Sequence, residues 1–164
     1  MSCDSFLLDE RALAIKSIFT GDYRSEIFST HGIYYSKLTP KKLLNKACVN
    51  YLSTKKGRMQ AATILLGYSR KPPFIISPNE FGVFPTASPD NPDCVWIFGH
   101  RFEVKEVTKN ESIVTFVNGT AIKVKASKNI IDNQNRRLHT LLSMSSVMDR
   151  EKRLYLDAKP SKVD

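Results

Sequence analysis

The stretch TPKKLLNKACVNYLSTKKGRMQAATILL, residues 39–66, decides the fold, because it carries two helical signals separated by one short break. Thr39 is a good N-cap, and Pro40 suits the first helical turn, where a missing N–H is no loss. Leu43, Leu44, Ala47, Cys48 and Tyr51 fall at i, i+1, i+4, i+5 and i+8, one apolar stripe along a helix. Lys41, Lys42 and Lys46 lie off that stripe. Ser53 is the expected cap of a second helix over Thr54–Leu66, with Gly67 as its stop. Met59, Ala62, Ile64, Leu65 and Leu66 are its candidate packing positions. Gly57 costs about 1 kcal/mol inside a helix relative to alanine. In the first turn, close approach of another backbone would account for it.

Strands surround this helical pair. Upstream, Ala12–Phe19 reads as a strand and Gly21-Asp22 as a turn, followed by one or two strands within Ser25–Tyr35. Downstream, Pro72–Pro92 is rich in proline and turn formers, with short strands at Phe74–Ile76 and Phe81–Phe84. Cys94–Phe98 reads as a buried strand, and Trp96 with its neighbouring phenylalanines belongs to a core rather than to a stacking platform. Phe102–Thr108, Ser112–Val117 and Thr120–Lys125 are strands joined by tight turns, with Asn118-Gly119 the strongest hairpin signal. A closing helix from about Asn129 to Met148 places Ile130, Ile131, Gln134, Leu138, Leu141 and Leu142 on one side. Arg136 points away from that side and Arg137 sits on its flank. The expected fold is α+β, a mixed single domain with mostly antiparallel strands, two adjacent helices in the first half and a closing helix. Residues 1–148 form this domain, and 149–164 form a short charged tail.

Composition narrows the function classes. The 164 residues are 41% hydrophobic, enough for a core, and no apolar run approaches the roughly 18 residues of a membrane span. The start Met1-Ser2-Cys3-Asp4 lacks the basic and apolar regions of a signal peptide, so a cytoplasmic location is expected. Cys3, Cys48 and Cys94 are widely spaced with no CxxC pair, and read as buried or terminal thiols rather than zinc ligands. Pairing Cys48 or Cys94 with His31, His100 or His139 gives no activated nucleophile, since both cysteines sit on apolar elements. The histidines lack metal-site spacing, and neither a paired-carboxylate pattern nor a glycine-rich phosphate loop is present. No catalytic, metal or cofactor site is expected.

The net charge of +9 points instead to a polyanionic partner. The charge is zoned. From Ile27 to Asn79 there is no acid, yet Lys37, Lys41, Lys42, Lys46, Lys55, Lys56, Arg58, Arg70 and Lys71 occur. From Gly119 to Met148, Lys123, Lys125, Lys128, Arg136 and Arg137 face Asp132 alone. Lys55, Lys56 and Arg58 sit at a helix N-terminus, where cations oppose the dipole and a bound phosphate would reverse that penalty. Arg70 and Lys71, stiffened by Pro72 and Pro73, suit a narrow A/T-rich minor groove. His100 and Arg101 follow the CVWIF strand as a third candidate contact. Lys128, Asn129, Arg136 and Arg137 on the closing helix can reach base edges or phosphates. Each cluster also reads as an ordinary solvated surface, and composition leaves DNA, RNA and acidic proteins open as partners.

An ordered series of local motifs selects among these. Lys46-Ala47-Cys48 leads into Tyr51-Leu52-Ser53-Thr54 and Gly57-Arg58, then Lys71-Pro72-Pro73, Ser77-Pro78, and Phe84-Pro85-Thr86 with Ser88. Cys94-Val95-Trp96-Ile97 follows, then Val114-Thr115-Phe116 with Asn118-Gly119, and Ser127 with Asn129 and Gln134. In this order the block from Asn45 to about Leu141 resembles the ComK family of competence transcription factors. The resemblance implies an activator of DNA-uptake genes that binds double-stranded AT-rich boxes, largely through the minor groove, at the nucleoid. It implies self-association as a dimer or higher oligomer on DNA, an adaptor protein of a Clp-type protease, and RNA polymerase as further partners, with no membrane. The loosely similar first 35 residues and the short tail keep two alternatives in view. One is a non-DNA-binding interaction module or paralogue that modulates a full-length activator, the other an RNA-binding regulator.

Overall fold

Strand pairing divides the computed structural model, which describes residues 8–158, into two antiparallel sheets accompanied by three helices. The strands are β1 (Ala12–Thr20), β2 (Tyr23–Ser29), β3 (Gly32–Ser36), β4 (Phe74–Ser77), β5 (Phe81–Pro85), β6 (Val95–Phe98), β7 (Phe102–Thr108), β8 (Glu111–Phe116) and β9 (Ala121–Val124). The helices are α1 (Pro40–Asn50), α2 (Lys55–Leu66) and α3 (Lys128–Asp157). The chain is thus a mixed α+β domain. Cys3 and the residues after Ala158 lie outside the described residues.

The larger sheet runs β3-β2-β1-β6-β5-β4 and the smaller β7-β8-β9. In β6, side chains alternate between two cores, as the two-residue period of a strand demands. Trp96 and Phe98 join Leu43, Leu44, Ala47 and Cys48 of α1 on one face. Val95 and Ile97 join Val114, Phe116, Ile122 and Val124 of the small sheet, with Ile131 and Leu138 of α3, on the other. The large sheet is therefore the middle layer of three. Trp96 is 1% exposed and packs edge-on to Phe74, so it is core, as its sequence setting indicates.

Turn chemistry matches the sequence closely. Gly21-Asp22 closes the β1–β2 hairpin, and Asn118-Gly119 lies in the β8–β9 turn with Gly119 at φ +90. Thr39 caps α1 by accepting from the Lys42 N–H, with Pro40 in the first turn. At Gly82 a Cβ would stand 2.7 Å from the Phe74 carbonyl oxygen and 2.8 Å from Leu138 Cδ1. That missing side chain is what lets α3 lie directly on β5.

Four expectations change. The cap of α2 is Thr54, not Ser53: its hydroxyl accepts from the Gly57 N–H at 3.0 Å. Gly57 faces the Thr54 and Ser53 hydroxyls rather than another backbone. Of the apolar positions in α2 only Ala62 is buried, in a small cluster with Ile75 and Leu141, while Ile64 is 82% exposed. The helix lies along β4 at the edge of the sheet, so a narrow strip suffices to seat it. Finally, α3 continues past Met148 to Asp157. Helix-favouring residues there include the i,i+4 pair Asp149–Arg153 at 3.2 Å.

Candidate nucleic-acid interface

The end of the large sheet where β4 begins, β5 ends and β6 begins gathers cations from four elements. On the α1 side, Lys41, Lys42 and Lys46 of α1 surround a shallow depression with Lys55 and Lys56 of α2. Asn45 ties the two helices together by accepting from the Lys55 backbone N–H at 2.9 Å. Lys55 itself is half-buried. Its ammonium stands 5.3 Å from the Trp96 ring centroid and 5.9 Å from that of Phe74, and burial lowers its pKa, with Lys41 adding to the effect. It is thus partly a packing residue, whereas Lys42 and Lys56 are exposed.

The Arg70–Lys71 segment meets the same end of the sheet. Pro72 and Pro73 are buried beneath it. Lys71 has a left-handed backbone, φ +45, a conformation that costs a non-glycine residue free energy unless its surroundings hold it. Gln134 of α3 does so. Its side-chain nitrogen donates to the carbonyls of Lys71 and Pro85, each at 2.8 Å, and its oxygen accepts from Arg137. Arg137 also donates to the Arg70 carbonyl at 3.2 Å and lies over the Tyr68 ring, 4.3 Å from its centroid. The arm is therefore fixed by α3 as well as by its prolines, with the Arg70 side chain exposed. Burial raises the pKa of the Cys94 thiol, just before β6, and the Lys71 and Lys55 charges both oppose that rise.

The first turns of α3 complete this end. Ser127 caps the helix through the Ile130 N–H, and no acidic residue occupies its first turn. Asn129, Ile130, Asn133 and Arg136 line an exposed shallow strip, with Lys128 exposed beside it. Asn133 is a polar group the sequence reading did not single out; its place at i+4 from Asn129 is the signal that would have found it.

The other candidates are placed elsewhere. Arg58 turns away from Lys55 and Lys56, into a groove of about 230 Å³ between α2 and α3, and its guanidinium reaches the Tyr51 carbonyl at 3.5 Å. His100 and Arg101 follow the far end of β6. The charge balance is also less one-sided than the sequence indicates. Asp90, 49 residues from Lys41, bonds it, and Lys123 and Lys125 pair with Glu111 and Asp93. The absence of a neutralising acid near the α1–α2 lysines is thus corrected by a loop that folds back onto them. Cys48 and Cys94 are buried free thiols, as expected, and burial pushes Cys48 up to about 11.

Comparison with known proteins gives a match to the family described as ComK protein over residues 3–163. The chain is also similar to the competence transcription factor of Bacillus subtilis (strain 168). The two are 30% identical over 116 residues, covering 70% of this chain and 60% of that protein. The match thus spans less than two thirds of the relative's length. No solved structure matches.

Proposed function

The chain belongs to the ComK family, and we propose on that premise that it is a transcription activator of DNA-uptake genes that binds AT-rich duplex DNA, largely through the minor groove. The observation that carries this reading is the convergence of Lys42, Lys55, Lys56, Arg70, Lys71 and the first turns of α3 on one end of the sheet. Cations on helices and a clamped loop are set at fixed spacing there, which suits a regular array of phosphates. Lys42, Lys56 and Lys128 contact phosphates and set the register, while Arg70, held out by the clamped arm, enters the narrow groove. Asn129, Asn133, Arg136 and Arg137 extend the contact along α3. Arg58, His100 and Arg101 serve as accessory contacts to flanking DNA.

In this proposal residues 1–148 form the DNA-binding unit and 149–164 a charged tail. The protein acts in the cytoplasm at the nucleoid, self-associates on DNA, and meets an adaptor of a Clp-type protease and RNA polymerase. Base replacement tests the groove assignment. Inosine–cytosine pairs keep the minor-groove pattern of A·T but present the major-groove pattern of G·C. A protein that reads the minor groove retains affinity when A·T pairs of its site become inosine–cytosine and loses it when they become G·C. Equal loss on both duplexes would assign recognition to the major groove instead.

A further inference from the structure

The turn between α1 and α2 holds a leucine in a place that neither the backbone nor the core asks for. Leu52 follows the C-cap Tyr51 with φ +59 and is 98% exposed. Its N–H donates to the Val49 carbonyl at 2.9 Å, and that of Ser53 donates to the Cys48 carbonyl at 3.1 Å. These are the two closing bonds of a Schellman motif, in which Leu52 occupies the left-handed position usually given to glycine. Both bonds are made by backbone and would form equally well with glycine there.

Single exposed apolar residues are ordinary on protein surfaces, and exposure alone carries no function. The conformation changes the weight of this one. Among the described residues, three non-glycine positions have positive φ: Leu52, Lys71 and Asn79. Asparagine tolerates this region, and Asn79 also accepts from the Ser145 hydroxyl at 3.1 Å. Lys71 is held by the Gln134 bond. Leu52 combines a left-handed backbone with a side chain given wholly to water, two unfavourable terms without a return inside the fold. Strain of this kind is kept where it serves function.

The surroundings indicate what the side chain meets. Lys55 and Lys56 begin the next helix three and four residues on, and Arg58 bonds the carbonyl of Tyr51, immediately before Leu52. An apolar tip on a rigid turn, with the exposed Lys56 in the first turn of the helix that follows, matches the way proteins bend DNA from the minor groove. A leucine enters between two base pairs and unstacks them, and nearby cations hold the phosphates on either side. We infer that Leu52 is such a wedge. This rests on the DNA-binding reading above and adds to it a defined bend at one base step.

Leu52→Gly separates the wedge from the fold, because glycine suits the left-handed position. An AT-rich duplex with a fluorophore pair at its ends reports bending, and the same titration gives affinity and its salt dependence. The parent is expected to bend the duplex. Leu52→Gly is expected to keep or raise the thermal midpoint and preserve the salt slope, bind about tenfold more weakly and leave the duplex straight. Leu52→Phe is expected to keep the bend. A Leu52→Gly chain that binds and bends like the parent, or a parent that binds without bending, overturns the wedge while leaving DNA binding intact. A Leu52→Gly chain that loses its fold, or changes only in self-association, assigns the side chain to protein contacts and likewise overturns it. A parent that shows no salt-dependent binding overturns the DNA-binding reading, and the wedge falls with it.

Discussion

The side-chain nitrogen of Gln134 lies 2.8 Å from the backbone oxygen of Lys71, joining the second turn of α3 to a loop 63 residues earlier. The same nitrogen serves the Pro85 carbonyl, and the amide oxygen takes a bond from Arg137. With 3% exposure, Gln134 is a buried polar group with its capacity filled, and it sets the pose of Arg70 without touching a ligand itself. Gln134→Leu leaves two carbonyls and the Arg137 contact unpaired, a loss of about 3 kcal/mol. Urea unfolding measures it. Selectivity for A/T over G·C duplexes falls along with stability, because the arm carrying Arg70 is no longer fixed.

Asp90 neutralises Lys41 at the rim of the lysine depression, and the Lys41 ammonium holds the Asp90 carboxyl below its usual pKa. Asp90→Asn removes a negative charge from the surface proposed to face phosphate. Duplex affinity is expected to rise a few-fold at low salt, with the gain shrinking as salt screens it. Filter binding at two ionic strengths checks this; unchanged affinity at low salt would move the contact away from Lys41.

Burial raises the Cys48 thiol to about 11, while the Arg58 and Lys55 charges pull it partly back. The unfolded thiol titrates near about 8.5, so the folded chain holds its proton longer than the unfolded one does. The contribution to stability is therefore whole below about pH 8.5 and is lost as pH rises toward 11. Urea midpoints between those limits should fall less steeply for Cys48→Ala than for the parent. In a Cys3→Ser background, thiol labelling at pH 8 should reach Cys48 and Cys94 only after denaturant is added.

Gly82→Ala should cost about 1–3 kcal/mol, because the new methyl meets a backbone carbonyl as well as the Leu138 side chain. Thermal unfolding reports it. A second change, Leu138→Ala, relieves the side-chain clash but not the carbonyl one, and should restore little.

Local chemistry was the legible part of this sequence. Thr39-Pro40, Gly21-Asp22 and Asn118-Gly119 each act through bonds within a few residues, and the structure places each in the predicted cap or turn. The apolar stripe of α1 likewise became core, since Leu43, Leu44, Ala47 and Cys48 lie on one face whatever they pack against. What sequence could not reveal depends on partners far along the chain. Ile64 looks like a packing residue until α2 is seen to lie at a sheet edge. The segment around Lys41 is acid-free along the chain but not in space, because Asp90 returns from 49 residues away. The run Lys55–Arg58 reads as one cluster, yet Arg58 stands two helical steps from Lys56, on the side of α2 that faces α3, and lines another groove. Gln134 reads as a polar break in an apolar stripe, and only the Lys71 and Pro85 carbonyls explain it.

In the proposed complex, one end of the sheet, with cations from several elements, neutralises DNA phosphates. The direct measurement is the slope of log affinity against log salt on an AT-rich duplex, for the parent and for a chain with Lys42, Lys56 and Lys128 all changed to glutamine. Each neutralised phosphate contributes about −0.9 to the slope, so the variant's should be shallower by about 2.7 with its thermal midpoint unchanged. A parent affinity indifferent to salt, or a variant slope equal to the parent's, would contradict the account.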